Sequence, residues 1–115
     1  MSASLHIDLE EIENKLLLRL DGRLDAATTP ILERKINSLA DDKHYLIYLD
    51  FLRIDYLSSA GMRLLLSASK KLKTKKGALV LFSVGEEVME ILKLAGFERI
   101  LLIFSTEQEA LQYMP

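Results

Sequence analysis

The sequence has no cysteine. That excludes a disulfide framework, a thiolate nucleophile and a thiolate metal site, and it fits a reducing compartment. There is no excess of basic charge either: 15 Lys and Arg stand against 17 Asp and Glu, a formal net charge of −2. Proteins that grip nucleic-acid phosphates are normally basic, so nucleic acid is not an expected partner. No apolar run approaches the ~20 residues that span a bilayer. The opening MSASLHIDLEE lacks the basic-then-apolar pattern of a signal peptide. The expectation is a cytoplasmic protein with no membrane partner. Histidine is scarce, and His6 and His44 stand apart from any ligand partner or nucleophile. A Gly-x-Ser-x-Gly elbow and a Gly-x4-Gly-Lys phosphate loop are both missing. No metal, cofactor or catalytic residue is expected, and the chain reads as a non-enzyme.

What is present suits one globular domain over residues 1–115. Half the residues are hydrophobic and 28% are charged, enough to build a core without staples. Leu5, Ile7 and Leu9 alternate with polar residues, and Leu16, Leu18 and Leu20 repeat that period of two. A turn at Asn14-Lys15 makes the pair a hairpin. A helix follows, capped by Asp25 or by Thr29 with Pro30 at its first position, and carrying Leu32, Ile36 and Leu39 inward.

Tyr45 to Leu49 reads as a strand buried on both faces, and Asp50 to Leu57 as a loop. The next helix carries Gly61, Leu64, Leu65, Ala68 and Leu72 on one stripe. Gly77 ends it by taking a left-handed conformation. Lys70, Lys71, Lys73, Lys75 and Lys76 suit the negative end of that helix and read as solvated rather than as an anion patch. Ala78 to Phe82 is a buried strand, Ser83 a cap for a third helix closed by Gly96, and Ile100 to Phe104 the last strand. Ser105 to Gln108 matches a capping box opening a short final helix. The order ββαβαβαβα implies an α/β fold, a mixed sheet of about five strands with helices packed on it.

The chain is organised around DFLRIDYLSSAGMRLLL, residues 50–66. An apolar segment meets a polar corner, Ser58, Ser59, Ala60 and Gly61, where a helix begins. The first N–H groups of a helix lack intrahelical partners and carry partial positive charge. Each serine can be a cap. Either can also carry a negative group that this helix end stabilises. Met62 reads as core, with a partner contact as the alternative.

The corner Tyr-Leu-Ser-Ser-Ala-Gly-Met resembles the signature of the STAS domain as found in bacterial anti-sigma factor antagonists. Gly22-Arg23-Leu24-Asp25 and Leu94-Ala95-Gly96-Phe97 are similar to two further stretches of that family. The resemblance implies a STAS-type fold. It implies phosphorylation at Ser59, with Ser58 where many members carry Asp. It implies a partner surface containing Asp25, Thr28, Ser58, Ser59, Gly61, Met62 and Arg63. The implied partners are an anti-sigma factor that is also a serine-protein kinase, and a serine/threonine phosphatase. The implied activity is partner switching: binding while Ser59 is unphosphorylated. The alternatives are a STAS scaffold or transporter accessory that is never phosphorylated, and, from a different class, a small nucleotide-hydrolysing enzyme.

Overall fold

The computed structural model describes residues 5–115; Met1 to Ser4, and with them the start of the N-terminal reading, lie outside the described residues. Strands β1 (Leu5–Ile12) and β2 (Lys15–Leu24) form an antiparallel hairpin, in register from Ile12 opposite Lys15 to Leu5 opposite Gly22. The turn is Glu13-Asn14, one residue earlier than the sequence indicates. Both residues have positive φ, 53° and 67°, the handedness that matches the twist of paired strands. Helix α1 (Thr29–Asp41) leads to β3 (Leu46–Leu57), and α2 (Ser59–Thr74) to β4 (Ala78–Phe82). Helix α3 (Glu86–Leu94), β5 (Leu102–Phe104) and α4 (Glu107–Leu111) complete the order. The sheet runs β1-β2-β3-β4-β5, and every pair after the hairpin is parallel. This is the expected mixed α/β architecture.

Side-chain alternation splits the core in two. Leu18, Leu20, Ile47, Leu49, Leu79 and Leu81 face α1, α2 and α3. Leu17, Tyr48, Val80 and Phe82 face the other way, against Ala110 of α4. Leu17 is therefore core as well, on the face opposite Leu18. The α2 stripe is buried as its spacing predicts, with Gly61, Leu64, Leu65, Ala68 and Leu72 inward. Each fully buried leucine there contributes ~2 kcal/mol. A cap contributes ~1 kcal/mol, so packing fixes the helix and the cap decides where it starts.

Several boundaries differ from the sequence reading, each for a physical reason. Strand β3 does not stop at Leu49 but continues to Leu57, through register shifts opposite Arg19/Asp21 and Gly22/Leu24. Two bulges break the period of two, so Ile54 and Leu57, three apart, are both buried. Gly77 does not supply the left-handed residue, because Lys76 does, at φ 63°. Gly77 is instead where two backbones touch: a Cβ there would lie 1.9 Å from the Tyr45 carbonyl oxygen. Helix α3 is preceded by Gly85 and not capped by Ser83. Strand β5 starts at Leu102, and the cap of α4 is Thr106, which accepts from the Glu109 N–H at 3.1 Å.

A polar network lies toward the α4 side of the sheet. Arg19 donates to Glu10, Asp50 and Glu107 at 2.8 Å each, joining β1, β2, β3 and α4. The hydrogen bonds Arg19 donates to Glu107 and then to Glu10 hold its pKa far above its ordinary value. Asp50 sits within β3 because Arg19 neutralises it and because it accepts from the Leu52 N–H.

Candidate functional site

Strands β2 and β3 end side by side, with Leu24 opposite Leu57. Ser58 then turns the chain into α2. Its backbone is extended (φ −86°, ψ 172°), and its Oγ accepts from the Gly61 N–H at 3.2 Å. Its carbonyl oxygen accepts from the Met62 N–H at 2.9 Å. Its own N–H donates to the Leu24 carbonyl oxygen at 2.8 Å. That bond ties the corner to the loop beginning at Asp25. The tie explains the glycine: a Cβ on Gly61 would lie 2.7 Å from Leu57 Cδ1 and 3.1 Å from Leu24 Cβ. Ser59 follows as the first residue of α2, and it is exposed.

The Asp25 loop is held by its own polar groups. One carboxylate oxygen of Asp25 accepts from the N–H groups of Ala27 and Thr28, both at 2.9 Å. The other accepts from Arg23 Nε at 3.0 Å. The Thr28 backbone N–H is the largest of the influences that hold the Asp25 pKa below the usual carboxylate value. The Thr28 hydroxyl donates to the Arg23 carbonyl oxygen at 2.6 Å. Neither expected cap forms. Thr28 occupies the cap position of α1 with no side-chain cap bond to the helix, Asp25 serves the residues before the helix, and among the described residues the buried Thr29 hydroxyl has no hydrogen-bond partner.

The structure therefore sorts the seven expected surface residues. Ser59 and Arg63 are exposed, while Asp25, Ser58 and Met62 are half-buried. Met62 packs against the core, in line with its first reading. Two residues are corrected. Thr28 is 1% exposed and Gly61 is buried, so they shape the corner without presenting a surface. Two further exposed residues pair at these strand ends. The Arg23 guanidinium lies over the Tyr56 ring, 4.9 Å from its centroid, and Tyr56 is 41% exposed. No sequence spacing pairs them, because the second bulge sets residue 23 beside residue 56.

Among the described residues, no group of three or more His, Asp or Glu is placed to hold a metal. Among the described residues, the exposed His6 side chain has one hydrogen-bond partner, Asp8 at 3.1 Å. Among the described residues, no helix is long and apolar enough to cross a membrane. The corner thus offers an exposed serine at a helix start and a rim of polar and aromatic side chains. That arrangement can accept a modifying group or a protein surface.

A family model for the STAS domain matches residues 6–110. The chain is 29% identical over 106 residues to BtrV of Bordetella bronchiseptica, a protein named provisionally as an anti-sigma factor antagonist; the match covers 92% of this chain and 91% of that one. An anti-sigma factor antagonist from Mycobacterium paratuberculosis superimposes with a TM-score of 0.84 at 23% identity, over 96% of both chains. The unphosphorylated anti-sigma factor antagonist SpoIIAA superimposes with a TM-score of 0.77 at 23% identity, over 92% of this chain and 93% of that one. The phosphorylated form of SpoIIAA, a Bacillus cell fate determinant, gives 0.69 at 22% identity, over 92% and 96%.

Proposed function

The chain belongs to the STAS domain family, and from that premise we propose that it is an anti-sigma factor antagonist whose binding is switched at Ser59. Unphosphorylated, it docks through the corner onto an anti-sigma factor that is also a serine kinase, and so frees that factor's client. Phosphorylation of Ser59 ends the complex, and a serine/threonine phosphatase restores it. The protein acts by binding, in the cytoplasm, and turns over no substrate itself.

One observation carries this reading: of two adjacent serines, Ser58 is committed to capping α2 and Ser59 is the exposed one. A phosphate on Ser59 adds about −1.5 to −2 charge where the helix dipole tolerates it. The fold has no need to change. The surface changes sign and bulk, and a partner packed on the corner meets a desolvated anion, which is a repulsive device for specificity. The related antagonist SpoIIAA is known in both phosphorylated and unphosphorylated forms, which supports the reading by kinship.

The test is intact-mass measurement after incubation with the anti-sigma serine kinases encoded in the source genome and Mg-ATP. One phosphate is expected on the wild type and on Ser58→Ala, and none on Ser59→Ala. Ser59→Ala is expected to keep binding the kinase. An unmodified wild type with partner binding indifferent to residue 59 would point to a scaffold of the same fold.

A further inference from the structure

Resting on that docking role, we infer that Arg23 and Tyr56 determine partner specificity, and that the partner meets them with an acidic surface. The family resemblance puts Asp25 at the partner contact. Its geometry points elsewhere: one oxygen holds two backbone N–H groups and the other holds Arg23. Asp25 is a positioning residue for the guanidinium.

Arg23 is the group left facing outward. Its Nε donates to Asp25, its guanidinium carbon lies over the Tyr56 ring, and about half of its side chain is exposed (49%). Among the described residues, its terminal nitrogens have no hydrogen-bond partner. A guanidinium fixed this way presents a planar fork that matches a carboxylate. Because the cation–π contact with Tyr56 and the bond to Asp25 already orient it, little further ordering opposes binding. Tyrosine and arginine are also the residue types that most often dominate binding energy at interfaces. Exposed Arg63, one helical turn after Ser59, adds a second positive group.

The charges also explain the switch. The strand ends and the helix start that meet at the corner carry Arg23, neutralised in part by Asp25, exposed Arg53 and Asp55 on β3, and exposed Arg63 on α2. This surface is close to neutral or weakly positive. A phosphate of about −1.5 to −2 makes it plainly negative. An acidic partner face would then be repelled by the same modification that its arginine contacts cannot offset. A basic partner face would instead be attracted to the phosphorylated form.

The experiment is calorimetric titration of the purified anti-sigma serine kinases of the source genome, each with the full chain, at low and high salt. The chains are wild type, Arg23→Glu, Arg23→Gln, Tyr56→Ala, Ser59→Asp and a control distant from the corner, Lys73→Glu. Thermal melts verify that each is folded. For the kinase that binds wild type, Arg23→Glu is expected to weaken binding about tenfold or more at low salt, and less at high salt. Arg23→Gln and Tyr56→Ala should weaken it by smaller factors, and Lys73→Glu should bind as wild type. If both Arg23 variants bind as wild type while Ser59→Asp is impaired, the acidic-face inference is overturned and the switch stands. If Arg23→Glu binds more tightly, the partner face is basic and the inference is likewise overturned. If no kinase binds wild type, the docking role falls, and this inference with it.

Discussion

The backbone N–H of Ser58 donates to the carbonyl oxygen of Leu24 at 2.8 Å. This one bond joins two loops that are 34 positions apart in sequence and fixes the candidate site. It can form because β2 and β3 are parallel neighbours that end together at Leu24 and Leu57. Residues on either side are thereby placed: Asp25 and Arg23 on one strand end, Tyr56 and Ser59 on the other. Two bulges in β3 supply the shift that makes this alignment possible.

That close approach makes Gly61→Ala a test of the corner. Alanine is worth about 1 kcal/mol more than glycine within a helix. Here its Cβ would meet Leu57 Cδ1 at 2.7 Å, Leu24 Cβ at 3.1 Å and the Leu24 carbonyl oxygen at 3.2 Å. Leu57 can swing aside, but the Leu24 contacts are backbone or next to it. Overpacking of this kind costs ~1–3 kcal/mol, which exceeds the helix gain. Urea unfolding should show a net loss of ~1 kcal/mol. Hydrogen exchange should rise at the Ser58 and Met62 amides before it rises in β4.

Asp25 gives a pH-dependent prediction. Its folded pKa is depressed, mainly by the Thr28 N–H. A depressed carboxylate contributes stability above its unfolded value of about 4. That contribution is lost as pH falls through the folded value. Asp25→Asn keeps an acceptor for Ala27 and Thr28 but removes the charge. The variant should be less stable than wild type near neutrality, and the gap should narrow steadily as urea titrations move into acid. A gap that stays constant across this range would contradict the assignment.

The sequence discloses some of this and hides the rest, and the division follows the range of the interactions. The hairpin, the stripe on α2 and the buried run of β4 are local patterns, set by periods of two and 3.6, and they read directly. The corner also reads directly, since a Ser-Ser-Ala-Gly helix start is contiguous. What fails is whatever needs a second strand. Asp50 looks like the end of a strand until Arg19, 31 residues away, neutralises it. Gly77 looks like a left-handed terminator until the Tyr45 carbonyl is seen against it. Thr28 is expected at a partner surface until it is found buried, with its hydroxyl donating to the Arg23 carbonyl oxygen. Arg23 and Tyr56 carry no signature at all, because a bulge pairs them.

Removal of Arg19 tests the network beneath α4. Asp50 is nearly buried, and Arg19 is the cation beside it. Arg19→Met keeps much of the aliphatic stem and leaves Glu10, Asp50 and Glu107 facing one another. Hydrogen bonds to charged groups are each worth ~1.5–3 kcal/mol, and partial exposure of Arg19 reduces that. A total loss of ~2 kcal/mol is expected by urea unfolding. The loss should fall mostly on α4, which is only five residues long. Amide exchange at residues 107–113 should therefore speed up more than exchange in α2. Equal acceleration in both would mean that Arg19 does not act through the final helix.

Ser59 and Arg63 stand four residues apart at the start of α2, and both are exposed. On a helix surface such positions are neighbours, and an acidic group N-terminal to a basic one is the favoured order. Phosphorylated Ser59 should therefore gain ~0.5 kcal/mol from Arg63, in addition to ~0.5 kcal/mol from the helix dipole. The two parts can be separated with no partner present. Urea unfolding of phosphorylated and unphosphorylated protein should show a stabilisation of ~1 kcal/mol in the wild type. In Arg63→Gln about half should survive, because the dipole remains. Both parts should shrink at high salt, since the site is solvated. An equal effect of phosphate in the two chains would assign the whole stabilisation to the helix end and leave Arg63 free to face the partner.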